Sequence, residues 1–272
     1  LNDFVAGIKL LLNPDGAVTL EFPHLERLIA ENQFDTIYHE HFSDFSLLTI
    51  QEMARRHHLK VFDVEKLTFA NGVRALLWPT DNEPGRATVR VRFGQGLSAF
   101  KPEEGVYARL GESALVGSGM GELGQNELDR LSTGRKLGFK FRMEEGTFVF
   151  EGLTRAEDVA DQLYLFAAKL AMPRWDTAPF ERTKAAMLLS YDSYNGNPSG
   201  VLSRDLDWLL HGRDPRYATP SPEALRGTDA EGFREVWSRI LAQGPVEVDV
   251  FGDFDKEATV AALSRTFGAL AP

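Results

Sequence analysis

Val89, Val91 and Phe93 alternate with Arg90 and Arg92, and Val246 to Phe251 repeats the same period of two. A strand with this pattern is half buried, so it needs a sheet with one covered face and one polar face. Two hairpin signals add to it. Asn71-Gly72 precedes Val73 to Trp78, and Glu144-Glu145-Gly146 separates Leu137 to Met143 from Thr147 to Gly152. The strands Val73 to Trp78 and Thr88 to Phe93 are expected to run antiparallel. Elsewhere the apolar spacing lengthens to that of helices, over Pro102 to Val116, Gln125 to Leu131, and near residues 178–195, 199–211 and 229–242. Thr154 and Glu157 have capping-box spacing and open a long helix to about Met172, while Asp255 caps a last helix through Leu270. Hairpins combined with long amphipathic helices describe an α+β fold, an antiparallel sheet covered by helices on one face.

The opening 66 residues read differently, as a short α/β fragment. Phe4, Val5, Ile8, Leu11 and Leu12 lie at helical spacing, and Asn13-Pro14-Asp15-Gly16 stops that helix. Ala17 to Phe22 is β-prone, Leu25, Leu28 and Ile29 mark a second helix, and Thr49 with Glu52 forms a capping box that starts a third, running to about His58. Leu59 to Val64 reads as a strand. Five of the six histidines (His24, His39, His41, His57 and His58) fall in this part, against His211 alone in the rest. Two parts are therefore expected, 1–66 and 67–272.

Composition limits the chemistry. With no cysteine, the chain has no disulfide, thiolate metal site or cysteine nucleophile. A net charge of -10 without a basic cluster argues against nucleic acid as a partner. No apolar run approaches the roughly 20 residues of a membrane helix, so no membrane partner is expected. Leu1 opens the chain and no signal peptide is visible, which leaves cytoplasm and periplasm equally open.

Phe34 to His41 is the densest functional stretch, placing Tyr38, His39, Glu40 and His41 side by side. Imidazole titrates near neutral pH and a neighbouring carboxylate can fix its tautomer, so a general base fits this pattern. A solvated polar loop fits it as well. The stretch resembles the sugar C-methyltransferases, which use S-adenosylmethionine to methylate a carbon next to a keto group of a nucleotide-linked sugar. The resemblance covers Leu1 to Leu67 and rests on Asn2-Asp3-Phe4-Val5, Pro14-Asp15-Gly16, Glu21-Phe22-Pro23-His24-Leu25, Phe34 to His41 and Val61-Phe62-Asp63-Val64. It implies that His41 removes the proton beside the carbonyl, assisted by Glu40 and Tyr38. The family pattern continues with Ser and Tyr, and here Ser43 is kept while Asp44 stands in place of the tyrosine. The glycine-rich turn that would bind the cofactor does not precede this stretch.

Residues from about Leu67 to Ala271 resemble a homology domain of the M16 (insulinase, or pitrilysin-type) zinc peptidases. The resemblance rests on Leu67 to Arg74, on Gly105-Val106-Tyr107-Ala108, and on Val246 to Gly252 followed by Ala261 to Leu270. The family's inverted zinc motif, His-x-x-Glu-His, places two histidines one helical turn apart with a glutamate that activates water. In this chain Ala108 and Glu112 stand at the histidine positions and Gly111 at the glutamate position. The resemblance thus implies a non-catalytic domain that binds no metal. Such a domain would shape a chamber with a zinc-bearing partner domain or subunit and hold extended peptide. Taken together, the two resemblances describe a chimera of a methyltransferase fragment and a peptidase-like domain.

Three other patterns carry less. Gly119-Met120-Gly121-Glu122-Leu123-Gly124 matches a dinucleotide fingerprint in letters but follows a helix instead of a strand, which predicts an interhelical loop. Tyr191 to Gly200 reads as a helix break, and Arg204, Arg213 and Arg216 near His211 read as a solvated face able to take a peptide carboxylate. No G-x-S-x-G elbow supports serine hydrolase chemistry.

Overall fold

The structure is a computed structural model that describes residues 2–13, 16, 18, 20, 25–30, 45–61, 65–241 and 244–271. The chain forms two compact units, Leu1–Val64 and Glu65–Pro272.

In the first unit the described elements are α1 (Asn2–Leu11), α2 (Leu25–Ala30) and α3 (Leu47–Arg56). Val5, Ile50 and Met53 are buried together, with Phe45 and Leu59 against them. Helix α3 begins earlier than the Thr49-Glu52 box suggests. Its cap is Ser46, whose hydroxyl accepts from Thr49 N at 3.3 Å, and Glu52 instead accepts from Arg55 and Arg56. Serine is as good a cap as threonine, and starting at Ser46 gives the helix three more residues. Residues 59–61 form no strand, and the rest of the expected Leu59–Val64 strand lies outside the described residues.

The second unit is built on β1 (Glu65–Thr68), β2 (Arg74–Pro79), β3 (Arg86–Phe93), α4 (Gly105–Gly117), α5 (Gln125–Leu131), β4 (Lys140–Met143) and β5 (Phe148–Arg155). After these come α6 (Val159–Ala171), α7 (Thr177–Tyr191), α8 (Pro198–Leu210), α9 (Pro222–Arg226), α10 (Ala230–Leu241), β6 (Val246–Gly252) and α11 (Lys256–Arg265). The six strands form one sheet in the order β1-β2-β6-β3-β5-β4, antiparallel except for the β2–β6 pair. Inward residues such as Ala75, Leu77, Val89, Val91, Phe150, Val248 and Val250 join Leu110, Leu163, Phe166 and Trp237 of the helices in one core. The α+β fold with helices over one sheet face is thus as expected.

One expectation holds in direction but not in adjacency, and another needs correction. The strands Arg74–Pro79 and Arg86–Phe93 run in opposite directions but are not neighbours, because β6 lies between them, bonded to both. The alternating pattern of Val246 to Phe251 fits this central slot, but partners more than 150 residues away leave no local mark. The Thr154-Glu157 capping box does not form either. Thr154 remains in β5 and donates its hydroxyl to Lys136 O at 2.6 Å, and a short 3-10 turn, Ala156–Asp158, leads into α6. Asp255 caps α11 as expected, accepting from Ala258 N at 2.7 Å. The five-residue helix α9 lacks a full amphipathic repeat and escaped the periodicity reading.

Candidate functional site

Helix α4 and the edge strand β4 frame the place where M16 chemistry would sit. The helix is anchored at its start by Glu104, which accepts from Lys101 N at 2.9 Å and from Arg239 of α10 at 2.7 Å. Ala108, Leu110, Gly111, Ala114 and Leu115 turn inward. Trp237 of α10 lies fully buried against them, edge-on to Phe100 at 5.0 Å and close to Phe148 at 5.6 Å. Its indole N–H donates to Tyr107 O at 2.8 Å. Gly111 lets the ring in, since a Cβ there would lie 1.9 Å from Trp237 Cζ2.

This packing decides the metal question for the helix. Ala108 is 0% exposed, and neither it nor Gly111 has a ligand atom. The indole fills the volume that a glutamate at 111 would need. Among the described residues no cluster of three His, Cys, Asp or Glu side chains could hold an ion. The residues present do not fit the family's zinc.

Glu112, at the second histidine position, faces the sheet edge. Burial pushes its carboxyl above the usual carboxylate range, against the pull of the Arg109 guanidinium and the Met143 backbone N–H. Arg109 donates from Nη2 to Tyr217 O at 3.3 Å, and its buried Nε has no partner among the described residues. Burial, and then the Glu145 carboxylate, raise the Tyr217 phenol. The His211 ring stacks on Tyr217 at 3.7 Å with Nδ1 2.7 Å from Asp207 O. Sequence reasoning named Glu112 and His211, and Glu145 as part of a hairpin turn, but missed Arg109 and Tyr217, which no shared motif links to them.

Among the described strands β4 pairs with β5 alone, and its hairpin is closed by Glu144 N donating to Thr147 O at 2.9 Å. The hairpin tip is braced by Leu97 N and Ser98 N, which donate to Glu144 O and Glu145 O, each at 2.9 Å. The remaining sequence candidates fall elsewhere. Gly119–Gly124 is a tight loop after α4, with Met120 and Leu123 exchanging backbone bonds of 2.9 Å, and no strand precedes it. Tyr191–Gly200 does break the helices, through a 3-10 turn at Asp192–Gly196. Arg204 and Arg216 are paired with Asp205 and Asp214, and Arg213 lies over Trp208 at 5.6 Å. Tyr38, Glu40 and His41 lie outside the described residues.

No family model matches the chain. A stretch of 64 residues is 45% identical to the C-methyltransferase NovU of Streptomyces niveus, covering 24% of this chain and 15% of that protein. Among solved structures, a protease from Helicobacter pylori superposes with a TM-score of 0.64 at 15% identity, over 76% of this chain and 50% of that one. The periplasmic protease PqqL of Escherichia coli gives a TM-score of 0.63 at 15% identity, over 84% and 28%. A peptidase M16 inactive domain from Pseudomonas fluorescens gives 0.61 at 19% identity, over 77% and 51%. The chain thus spans about half or less of the proteins it matches. It carries the fold of M16 peptidase domains, one of them inactive, joined to a stretch similar to part of a C-methyltransferase.

Proposed function

We propose that residues 65–272 hold an extended peptide without cutting it, in a chamber completed by a zinc-bearing M16-type domain or subunit. The observation that carries this reading is the exchange of a metal-binding helix face for an apolar joint between Gly111 and Trp237, beside a sheet edge, β4, at which Phe141 turns its backbone N–H and C=O outward. An added strand gains affinity from main-chain hydrogen bonds and needs no catalytic side chain. The likeness to proteases, one of them an inactive M16 domain, supports the same reading. The test pairs binding with cleavage. A labelled unstructured peptide is expected to bind saturably, with or without chelator, and to stay intact when zinc is added. Chelator-sensitive cleavage by the purified chain would overturn the proposal.

A second reading has its own support, the 45% identity over 64 residues to a C-methyltransferase. Here His41 is the general base, with Glu40 and Tyr38 assisting, on a nucleotide-linked keto sugar, and S-adenosylmethionine supplies the methyl group. The rest of such an enzyme, 85% of the relative's length, would have to be supplied beyond the matched stretch. Calorimetric titration with S-adenosylmethionine separates the readings, since saturable binding in the micromolar range favours the methyltransferase.

A further inference from the structure

We propose that the β4 edge selects extended peptides with acidic side chains two residues apart and an apolar residue between them. The inference rests on the peptide-holding role above and names the class of peptide.

Backbone direction comes first. In an antiparallel pair, hydrogen-bonded and non-bonded residue pairs alternate. The Glu144 N to Thr147 O bond and the register of β4 with β5 make Arg142–Val149 and Lys140–Glu151 the bonded pairs. Phe141 and Met143 then direct their N–H and C=O groups away from β5. The Met143 N–H acts on the Glu112 carboxylate, which leaves Phe141 as the residue that an incoming strand can pair with.

Side chains alternate the other way. Lys140 and Arg142 are exposed on the open face of the sheet, while Phe141, 8% exposed, and the partly buried Met143 turn to the helix-covered face. A residue opposite Phe141 would share that apolar side, and its two neighbours would project beside Lys140 and Arg142.

On the open face at this end of the sheet three cations, Lys140, Arg142 and Arg90, share one carboxylate, while Glu112 lies on the helix side at Met143 and Glu144 and Glu145 lie beyond the strand in the hairpin turn. Glu151 lies 2.8 Å from Arg90 and 3.6 Å from Arg142, and Lys140 acts on it only at longer range, with no ion pair of its own among the described residues. Farther along the same face Arg74 and Arg92 are matched by Glu247 and Asp249. The excess of positive charge is therefore confined to the edge, on a chain whose net charge is -10. Acidic side chains at the flanking positions would complement it.

Fluorescence anisotropy with three otherwise identical labelled peptides, carrying Glu-Val-Glu, Gln-Val-Gln or Lys-Val-Lys at the centre, tests this on the full chain. The acidic peptide is expected to bind about fivefold more tightly than the neutral one at low salt, with the gap narrowing as salt is added. The basic peptide should bind most weakly, and K140E/R142E, two exposed changes, should invert the order. N-methylation of the central valine of the acidic peptide should abolish binding, because it removes the bond to the Phe141 carbonyl. Equal binding of the three peptides, no inversion in the variant, or full binding of the N-methylated peptide would each overturn the selectivity while leaving peptide holding intact. Binding of none of the three would overturn the peptide-holding role itself, and the selectivity with it.

Discussion

The indole N–H of Trp237 donates to the carbonyl of Tyr107 at 2.8 Å, joining α10 to the first turn of α4. The bond orients the ring so that its six-membered side lies over Gly111, inside 1.9 Å of where a Cβ would stand. The hydrogen bond and the missing side chain therefore belong to one arrangement. It puts a large aromatic group where an active M16 helix would carry the water-activating glutamate.

Gly111→Ala should destabilise the second unit by about 2 kcal/mol, since overpacking a close-packed site forces neighbours off their rotamers. The loss should exceed any gain in helix propensity, which is about 1 kcal/mol for Gly to Ala in an open helix interior. Urea unfolding of the two proteins checks this. An unchanged midpoint would mean that the ring can move aside freely.

Writing the zinc motif back should fail for the same reason. The variant A108H/G111E/E112H is expected to retain no stoichiometric zinc after dialysis, because residue 108 is fully buried and the indole fills the volume beside residue 111. Tight zinc in the triple variant with Trp237 intact would contradict this account of the site.

Asn71 makes a third case. Its Nδ2 donates to Phe267 O at 2.8 Å and Leu270 O at 3.0 Å, tying the β1–β2 turn to the end of the chain. The Asn71 Oδ1 also accepts from Val73 N at 3.3 Å, so Asn71→Ala should cost about 3 kcal/mol, about 1 for each of the three hydrogen bonds lost. Hydrogen exchange should show the effect first at the backbone amides of Ala269 and Leu270.

Asn71 also shows what can be read from sequence. The Asn71-Gly72 pair announces a turn, and Gly72 adopts a φ of 86°, but the reach to Phe267 and Leu270 spans most of the unit and has no local signal. Likewise, Ala108 and Gly111 reveal the lost ligands directly, whereas the ring that fills their place comes from residue 237. Alternation found β6 and Asp255 announced α11, because each depends on neighbours in the chain. The Thr49 and Thr154 boxes misled because a competing partner, Ser46 in one case and Lys136 O in the other, took over. The same limit applies to the polar group beside Glu112, gathered from a helix, a hairpin and a 3-10 turn.

Lys169 gives a pH-dependent prediction. It is 6% exposed, lies over the Phe139 ring at 5.0 Å, and donates to Ser118 O at the end of α4. Burial lowers its pKa from the usual 10.5 to about 8, against the opposing attraction of Asp176. Below pH 8 the ammonium is charged in both folded and unfolded chains, so the folded state bears the full cost of burying it. Between about 8 and 10.5 the folded chain releases the proton while the unfolded chain keeps it, so stability rises with pH and levels off above that window. The total gain is on the order of 3 kcal/mol. Lys169→Met removes the titrating group but keeps the stem, so it should flatten the rise from this site. It should also raise stability at pH 7, provided that the loss of the bond to Ser118 O costs only about 1 kcal/mol. Denaturant unfolding of both proteins from pH 7 to 10.5 reads the two slopes, and identical slopes would show that Lys169 is not the group responsible.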